Sequence, residues 1–176
     1  MSLSVAPALI APAWFRSRDA WTWIVVRFVP PFAALNLAWE AAQLPLYDVW
    51  EREWQFRAFA VLHCTAGDAL IGFCALLLAL IATRAGRPET WRIRRVALVT
   101  MAISLAYTIF SEWMNTVWRE SWGYSAWMPV VPILGTGLSP LAQWILIPAA
   151  ALRLAQAAAK PERSIASVKI NEEISP

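Results

Sequence analysis

Charged residues are scarce in this sequence, and their scarcity excludes an ordinary water-soluble domain. Only 15% of the 176 residues are Asp, Glu, Lys or Arg, whereas a soluble domain has about 25%. Hydrophobic residues make up 59% of the chain. They fall in runs long enough to cross a bilayer, which needs about 20 mostly apolar residues. The sequence therefore predicts an integral membrane protein whose length suits one compact bundle with no separate soluble domain.

Cysteine and histidine are also rare, which argues against disulfide and metal chemistry. Cys64 and Cys74 lie on one predicted helix about 15 Å apart by helical rise, too far for a disulfide bond. No C-x-x-C motif is present, so the thiols do not indicate a redox compartment. His63 is the single histidine, and a structural role fits it better than a ligand role. A metal site would have to be drawn from Glu40, His63, Asp68 and Glu112. Without a ligand-spacing motif we expect no bound metal and no other cofactor.

Two further features are missing. Residues 1–19 lack the basic start of a secretory signal, so we expect no cleavage there. No internal repeat is visible, although many transporters are built from one.

The net charge of +3 comes mainly from short arginine-rich ends and loops. We interpret these as topology signals and expect no nucleic-acid partner.

The hydrophobic runs predict an all-α bundle of four transmembrane helices. Residues 1–27 are expected to form a cytoplasmic tail and an interfacial segment, with Trp21 and Trp23 in the headgroup layer. Residues 28–156 are expected to form the bundle, and residues 157–176 a disordered cytoplasmic tail. The predicted helices cover about 28–46, 58–82, 96–118 and 132–156.

The arginines indicate an orientation in the membrane. Loop 83–95 is the most basic stretch, and both ends of the chain also carry an Arg and Lys excess. By the positive-inside rule these parts are cytoplasmic, so both termini are expected inside and the other two loops outside. In a bacterium this would place the protein in the inner membrane.

Pro30 and Pro31 fit the start of the first helix, where a missing N–H matters least.

Polar residues interrupt the first hydrophobic helix. Asn36, Glu40 and Gln43 are spaced i, i+4, i+7, so they share one helical face. A carboxylate in an apolar helix usually faces a protein interior or a water-filled cavity, and it is a functional-site hypothesis by default. Interhelical hydrogen bonding is the alternative role for this face.

Each of the other predicted helices carries polar residues at similar depth. They are His63 and Asp68 on the second helix, Ser104, Thr108, Glu112 and Asn115 on the third, and Thr136, Ser139 and Gln143 on the fourth. Pro140 would break the fourth helix and free the Thr136 carbonyl, as happens where backbone lines a cavity. We therefore predict a polar pocket in the outer half of the bundle, walled by apolar and aromatic side chains.

The predicted pocket has the parts of an acid catalyst. Glu40, Asp68 and Glu112 are the candidate catalytic residues, with Glu40 and Asp68 as the acid/base pair. Three carboxylates in a low-dielectric site cannot all stay ionised, so at least one is expected to hold a proton near neutrality. Such an acid can protonate an alkene or epoxide, and aromatic faces can stabilise the carbocation that results. The candidate substrate-binding residues are Asn36, Trp39, Gln43, His63, Trp113, Asn115 and Gln143.

Three stretches together resemble a group of small uncharacterised four-helix bacterial membrane proteins. They are N-L-A-W-E-A-A-Q-L-P-L-Y, H-C-T-A-G-D-A-L and S-E-W…W-G-Y-S-A-W-M-P…G-L-S-P-L-A-Q-W. The first stretch is also similar to the N-x-x-W-E element of the membrane-bound terpene cyclases of fungal meroterpenoid pathways. That resemblance implies that Glu40 protonates a substrate, with Asn36 and Trp39 around it.

These observations favour an enzyme that acts on an isoprenoid or other membrane lipid by acid-initiated cyclisation, isomerisation or hydration. The alternative is a non-catalytic membrane protein, either a proton-coupled transporter component or an accessory subunit. In that class the same carboxylates would form a proton relay or helix–helix contacts. The oligomeric state stays open at this point.

Overall fold

Four long helices dominate the computed structural model, which describes residues 14–174 and their side chains as far as Ala159. The helices are α1 (Arg18–Leu46), α2 (Trp54–Ala82), α3 (Ile93–Trp118) and α4 (Leu138–Ile174). Each contains a stretch that is long and apolar enough to cross a membrane. The predicted class, an all-α bundle of four such helices, is confirmed. Short helical turns lie at Trp14–Arg16, Asp48–Glu51 and Pro88–Thr90.

Helix α1 begins ten residues before the predicted start and runs through both prolines. The Ser17 hydroxyl caps its first turn by accepting a hydrogen bond from the Ala20 N–H (3.3 Å). Two consecutive residues without an N–H cannot continue a regular α-helical ladder. The chain meets this by widening the preceding turn, Trp23–Phe28, into a π-helix. Residues 18–27 are therefore continuous with the first long helix, and their interfacial position stays a prediction.

Helix α4 begins later than predicted because the preceding residues form a small hairpin. Strands β1 (Val130–Val131) and β2 (Thr136–Gly137) pair antiparallel, and Gly135 supplies the positive φ of the turn at +65°. The prediction that the helix covers 132–137 is wrong. Pro140 lies in the first turn of α4, where no N–H is needed. It therefore does not break the helix.

The carboxyl end of α4 also departs from expectation. The predicted helix ends at residue 156, whereas the backbone stays helical to Ile174. The disorder predicted for residues 157–176 stays a prediction. The alanine-rich stretch that follows the core of α4 has high intrinsic helix propensity, which favours propagation. Residues 175–176 and 1–13 lie outside the described part of the chain.

The four helices pack in a ring in which α1 contacts α2, α2 contacts α3, α3 contacts α4, and α4 returns to α1. The ring has two unlike ends. We call the end that contains Phe28, Leu76, Leu80, Val96 and Leu152 the closed half, since these side chains are all buried in one apolar core. We call the other end, which contains residues 36–47, the cavity half.

Aromatic rings fill the closed half. Phe28 stacks on Phe32 with ring centroids 5.1 Å apart, and Phe32 contacts Trp144 at 6.0 Å. Trp23 stacks on Phe28 at 6.3 Å and is only 3% exposed. The extended α1 therefore turns the Trp23 ring into the core of the bundle, and its depth in a membrane stays a prediction. Trp21 is partly exposed.

Two loops close the far end of the cavity half. Tyr47, after α1, forms an isolated β-bridge with Tyr124, from the segment between α3 and α4. The Asp48 N–H donates to the Gly123 carbonyl (3.0 Å), and the Ser125 N–H donates to the Leu46 carbonyl (2.9 Å). The two tyrosine rings also contact each other at 5.6 Å. This pairing brings the second loop over the polar ends of α1 and α3.

Candidate functional site

A cavity of about 440 Å³ occupies the cavity half, and all four helices contribute to its wall. Its size is within the range of small-molecule sites, about 300–1,000 Å³. Its polar lining includes Glu40, Gln43, His63, Asp68, Thr108, Glu112, Asn115 and Gln143. Its aromatic lining consists of Tyr47, Phe56, Phe59, Tyr107, Trp122 and Trp144. A polar group of side chains thus meets an aromatic and apolar wall.

All three predicted catalytic carboxyl groups lie in this cavity. Glu40 comes from α1, Asp68 from α2 and Glu112 from α3. Glu40 and Glu112 are buried, at 9% and 8% exposure, and Asp68 is half-buried. The regular helical spacing explains the convergence, since each carboxylate lies on the face that its helix turns toward the ring centre.

Gln143 of α4 connects the carboxyl groups of two other helices. Its Nε2 lies 2.9 Å from Glu40 Oε1, 2.8 Å from Asp68 Oδ2 and 2.9 Å from Asn36 Oδ1. An amide nitrogen carries two hydrogens, so three oxygen atoms share two donors. One buried side chain thereby holds Glu40 and Asp68 together across the ring.

Gln43 fixes the orientation of that amide. The Oε1 atom of Gln43 accepts hydrogen bonds from the Ser139 hydroxyl (2.7 Å) and the Trp39 indole N–H (3.1 Å). Its Nε2 must then face the other way, where it donates to Glu40 Oε1 (2.8 Å) and to Gln143 Oε1 (3.2 Å). Since Gln143 Oε1 is used as an acceptor, its nitrogen is turned toward the carboxyl groups.

Asn36 is the third amide of this group, and it lies one helical turn before Glu40 on α1. Its Nδ2 donates to the Phe32 carbonyl (2.8 Å), which leaves Oδ1 facing Gln143. Each of the three amides is thus held by a partner on one side and presents a defined atom on the other. The result is a network in which amide N–H groups converge on Glu40 and Asp68.

Glu40 and Asp68 accept hydrogen bonds from the same nitrogen of Gln143, which holds their carboxyl groups close together. Ionised carboxylates are acceptors only, so two carboxyl groups can bond only when one of them holds a proton. We therefore expect one of the two carboxyl groups to hold a proton, because two adjacent ionised carboxylates in a buried site repel each other. The N–H groups of Gln43 and Gln143 are placed to stabilise the negative charge that remains when this proton leaves.

Glu112 is held separately, by a residue from the loop before α4. The Tyr124 hydroxyl donates to Glu112 Oε2 and accepts from the Gly137 N–H (3.0 Å). Burial, together with the bond to Glu112, raises the pKa of Tyr124 above its ordinary value. The phenol therefore stays protonated and keeps Glu112 Oε2 as an acceptor. Burial likewise raises the pKa of Tyr47, which lines the same end of the cavity.

The predicted substrate-binding residues divide into two groups. Gln43, His63, Asn115 and Gln143 line the cavity, whereas Asn36, Trp39 and Trp113 do not. Asn36 is fully buried behind Gln143, and Trp39 packs against the core while its indole N–H holds Gln43. Trp113 is half exposed, because it follows Glu112 and points about 100° away around the helix. These three residues therefore lie outside the cavity lining, and their contact with a substrate stays a prediction.

The most important residue missing from the predicted site is Tyr124. It reaches Glu112 only because its loop pairs with the residues after α1. Twelve positions separate it from Glu112 along the chain, and the pattern W-G-Y-S reads as a turn. Polar periodicity therefore gives no signal for it. Ser139, by contrast, belongs to the predicted polar stripe of α4, and its contact with Gln43 confirms that stripe in part.

The histidine and cysteines do not add a metal centre. His63 is exposed at the edge of the cavity and stacks on Phe59 with ring centroids 5.4 Å apart. Cys64 is a free thiol that lines the cavity, and Cys74 is a free thiol on the outside of α2. Among the side chains that the structure describes, residues 14–159, no three His, Cys, Asp or Glu side chains are grouped to hold a metal ion.

Comparison of this chain with protein-family models, with curated proteins and with solved structures found no match. The site therefore has to be interpreted from its own chemistry.

Proposed function

We propose that this protein is a membrane-embedded enzyme that acts on an isoprenoid or other lipid by acid-initiated cyclisation, isomerisation or hydration. The carboxyl pair of Glu40 and Asp68 is the observation that carries this proposal. Both carboxyl groups accept hydrogen bonds from Gln143 in the wall of a cavity that combines polar side chains with aromatic and apolar ones, and we expect the pair to hold one proton. An acid in such surroundings is a suitable proton donor to a weakly basic group.

The chemistry balances with the residues present. The pair transfers its proton to one carbon of a double bond, or to an epoxide oxygen, and the substrate becomes a carbocation. Loss of a proton from a neighbouring carbon to the pair then completes an isomerisation or a cyclisation. Capture of the cation by water, which releases a proton to the pair, completes a hydration. In each case the pair ends in its starting state.

The side chains around the pair can stabilise both the negative charge left on the carboxyl groups and the positive charge formed on the substrate. The N–H groups of Gln43 and Gln143 already contact the carboxyl oxygens, so they stabilise the anion without reorganisation. The faces of Tyr107 and Trp144 line the cavity and can stabilise a cation. Glu112, held by Tyr124, adds a second negative group near the developing positive charge.

The apolar packing of the closed half favours an enzyme over a proton-coupled transporter component. A transporter needs a route that opens to each side in turn. Here Phe28, Phe32, Leu76 and Leu80 are all fully buried and fill the bundle beyond the polar residues. A site that is sealed toward the closed half suits a reaction whose substrate and product leave by the same way.

The first test is a comparison of lipid extracts by mass spectrometry. The strains are the native host, a gene deletion, and the deletion complemented with wild type, Glu40→Gln or Glu51→Gln. Glu51 lies in the exposed turn after α1 and is the matched control. We expect one isoprenoid to accumulate in the deletion, wild type and Glu51→Gln to restore its product, and Glu40→Gln to lower turnover at least about 100-fold.

The mass difference between the two lipids identifies the reaction. It is zero for cyclisation or isomerisation and one water for hydration. Restoration of the product by Glu40→Gln would contradict an acid role, because an amide preserves hydrogen bonds but supplies no acidic proton. Identical lipid profiles in all strains would favour the non-catalytic alternative.

We also propose that the protein lies in a bacterial inner membrane with the cavity half toward the outside and both termini in the cytoplasm. The arginine-rich connection after α2 supports this orientation. The test uses a variant without Cys64 and Cys74 and a thiol reagent that cannot cross membranes. In intact cells the reagent should label Arg52→Cys and spare Arg87→Cys, both of which replace exposed loop residues. The reverse labelling would invert the topology.

A further inference from the structure

Among the helical residues that line the cavity, the exposed ones lie on one side of the ring, and the exposed lining residues Arg119 and Ser121 follow the end of α3. The lining residues from α1 and α4 are buried or half-buried, as Glu40, Pro140, Gln143 and Trp144 illustrate. The lining residues that are exposed within the helices belong instead to α2 and α3. They are Phe56, Phe59, His63 and Tyr107. The opening therefore lies along the seam between α2 and α3.

This opening lies at the depth of lipid chains. The lining residues of α2 follow one face from Phe56 to Ile71. Gly67 is near the middle of this helix, about 20 Å from its first residue by helical rise. A hydrocarbon core is about 30 Å thick. If α2 crosses the membrane, the seam beside Gly67 faces acyl chains and not water.

Gly67 leaves the seam unobstructed. A Cβ added at this position would meet no atom within 4 Å, apart from its own chain neighbours. The next residue is Asp68, a member of the carboxyl pair. A chain that passes beside Gly67 therefore reaches the acid without first crossing a polar surface.

We infer that the seam between α2 and α3 is a lateral opening through which a hydrocarbon chain of a bilayer-dissolved lipid enters the cavity. The inference rests on the proposed function for its chemical purpose, and it specifies the substrate class. The substrate is dissolved in the membrane, and its reactive double bond lies within an apolar chain. A water-soluble substrate would have no reason to use an opening at this depth.

The test is photolabelling of the full-length protein in vesicles that contain a phospholipid with a diazirine in its acyl chain. Peptide mass spectrometry then locates the labelled residues. In wild type we expect label on the cavity segment around Cys64 and Asp68, and also on lipid-facing positions such as Leu78 and Ile81, which are exposed on the closed half of α2.

Two tryptophan substitutions provide the comparison. Gly67→Trp places an indole in the opening, and we expect it to lower the cavity label at least about tenfold while label on Leu78 and Ile81 stays unchanged. Ala66→Trp adds the same side chain to the neighbouring exposed position, which is outside the cavity lining. It should leave both sets of labels as in wild type. Thermal unfolding in detergent establishes that both variants are folded.

The outcomes separate this inference from the proposed function. Absence of cavity label in wild type, or equal cavity label in Gly67→Trp and wild type, would overturn the lateral opening. Neither result would alter the comparison of Glu40→Gln with wild type in lipid extracts. Cavity label that Gly67→Trp removes, combined with unchanged lipid extracts in Glu40→Gln, would show a lipid-binding cavity without acid catalysis.

Discussion

The closed half and the cavity half are built from the same four helices, yet they bury different groups. In the closed half Phe28, Leu76 and Leu80 are fully buried among other apolar side chains. In the cavity half the buried groups of α1 are Asn36, Glu40 and Gln43, and each is satisfied by hydrogen bonds. The cavity half also keeps an open volume of about 440 Å³. The difference indicates that stability comes mainly from the closed half, whereas the cavity half carries the site of the proposed chemistry.

One layer of side chains separates the two halves. Phe32 lies against Trp144, and its ring lies directly on Gly72 of α2. One turn further along α1, Asn36 begins the polar network. Because the ring closes the bundle under the carboxyl pair, the polar groups are confined to one end.

The largest effect on the contrast between the closed half and the cavity half is expected from a matched pair of glycine substitutions on α2. A Cβ at Gly72 would overlap the Phe32 ring, whereas a Cβ at Gly67 meets open space. We expect Gly72→Ala to lower the free energy of unfolding by about 1–3 kcal/mol through overpacking. Gly67→Ala should leave it unchanged or raise it by up to about 1 kcal/mol, since alanine favours the helix.

Unfolding of the purified protein in detergent measures both effects. Equal stability of the two alanine variants would contradict the view that the layer around Phe32 is tightly packed while the seam at Gly67 is open. Activity should follow stability in Gly72→Ala and stay near wild type in Gly67→Ala.

A smaller effect is expected from Tyr124→Phe in the cavity half. The substitution removes the hydroxyl between Gly137 and Glu112 and leaves the ring contact with Tyr47 in place. We expect a loss of about 1–2 kcal/mol, because a buried N–H and a carboxylate each lose a partner. Tyr107→Phe, which changes an exposed ring, is the control in the same unfolding assay. Equal stability of both variants would show that the bond to Glu112 contributes nothing.

The smallest effect is a dependence of stability on alkaline pH. The pKa values of Tyr47 and Tyr124 lie above the value of about 10 that tyrosine has in an unfolded chain. The folded state therefore keeps these protons longer, so their contribution is fully present below pH 10 and is lost as the pH rises through the folded values. We expect the melting temperature to fall above pH 10, and to fall less in Tyr124→Phe. If the melting temperature fell equally with pH in wild type and in Tyr124→Phe, a role for the Tyr124 proton would be excluded.

Much of the fold follows from periodicity and hydropathy. The four helices, the convergence of Glu40, Asp68 and Glu112, and the inward position of Gln143 could all be anticipated, because a helix repeats its faces at a known angle. The exact ends of the helices could not be anticipated. Pro30 and Pro31 read as a start signal, but a wide turn allowed α1 to extend back to Arg18.

The individual roles of the polar residues were also beyond a one-dimensional pattern. Trp39 and Asn36 share the helix of Glu40, but they orient the amides from behind and do not touch the cavity. Trp113 shares the helix of Glu112 but faces outward. Which side of a helix meets a cavity depends on the rotation of its neighbours, and no local pattern encodes that rotation.

The amino-acid sequence alone was therefore sufficient to establish a four-helix, membrane-type chain with three carboxylates near one level, since apolar length and helical spacing are local properties. Packing set the rest. It paired the loops through Tyr47 and Tyr124, brought the Tyr124 hydroxyl to Glu112, and left a seam beside Gly67. These features join residues that are far apart along the chain, and such contacts exist only once the helices have been arranged around a common core.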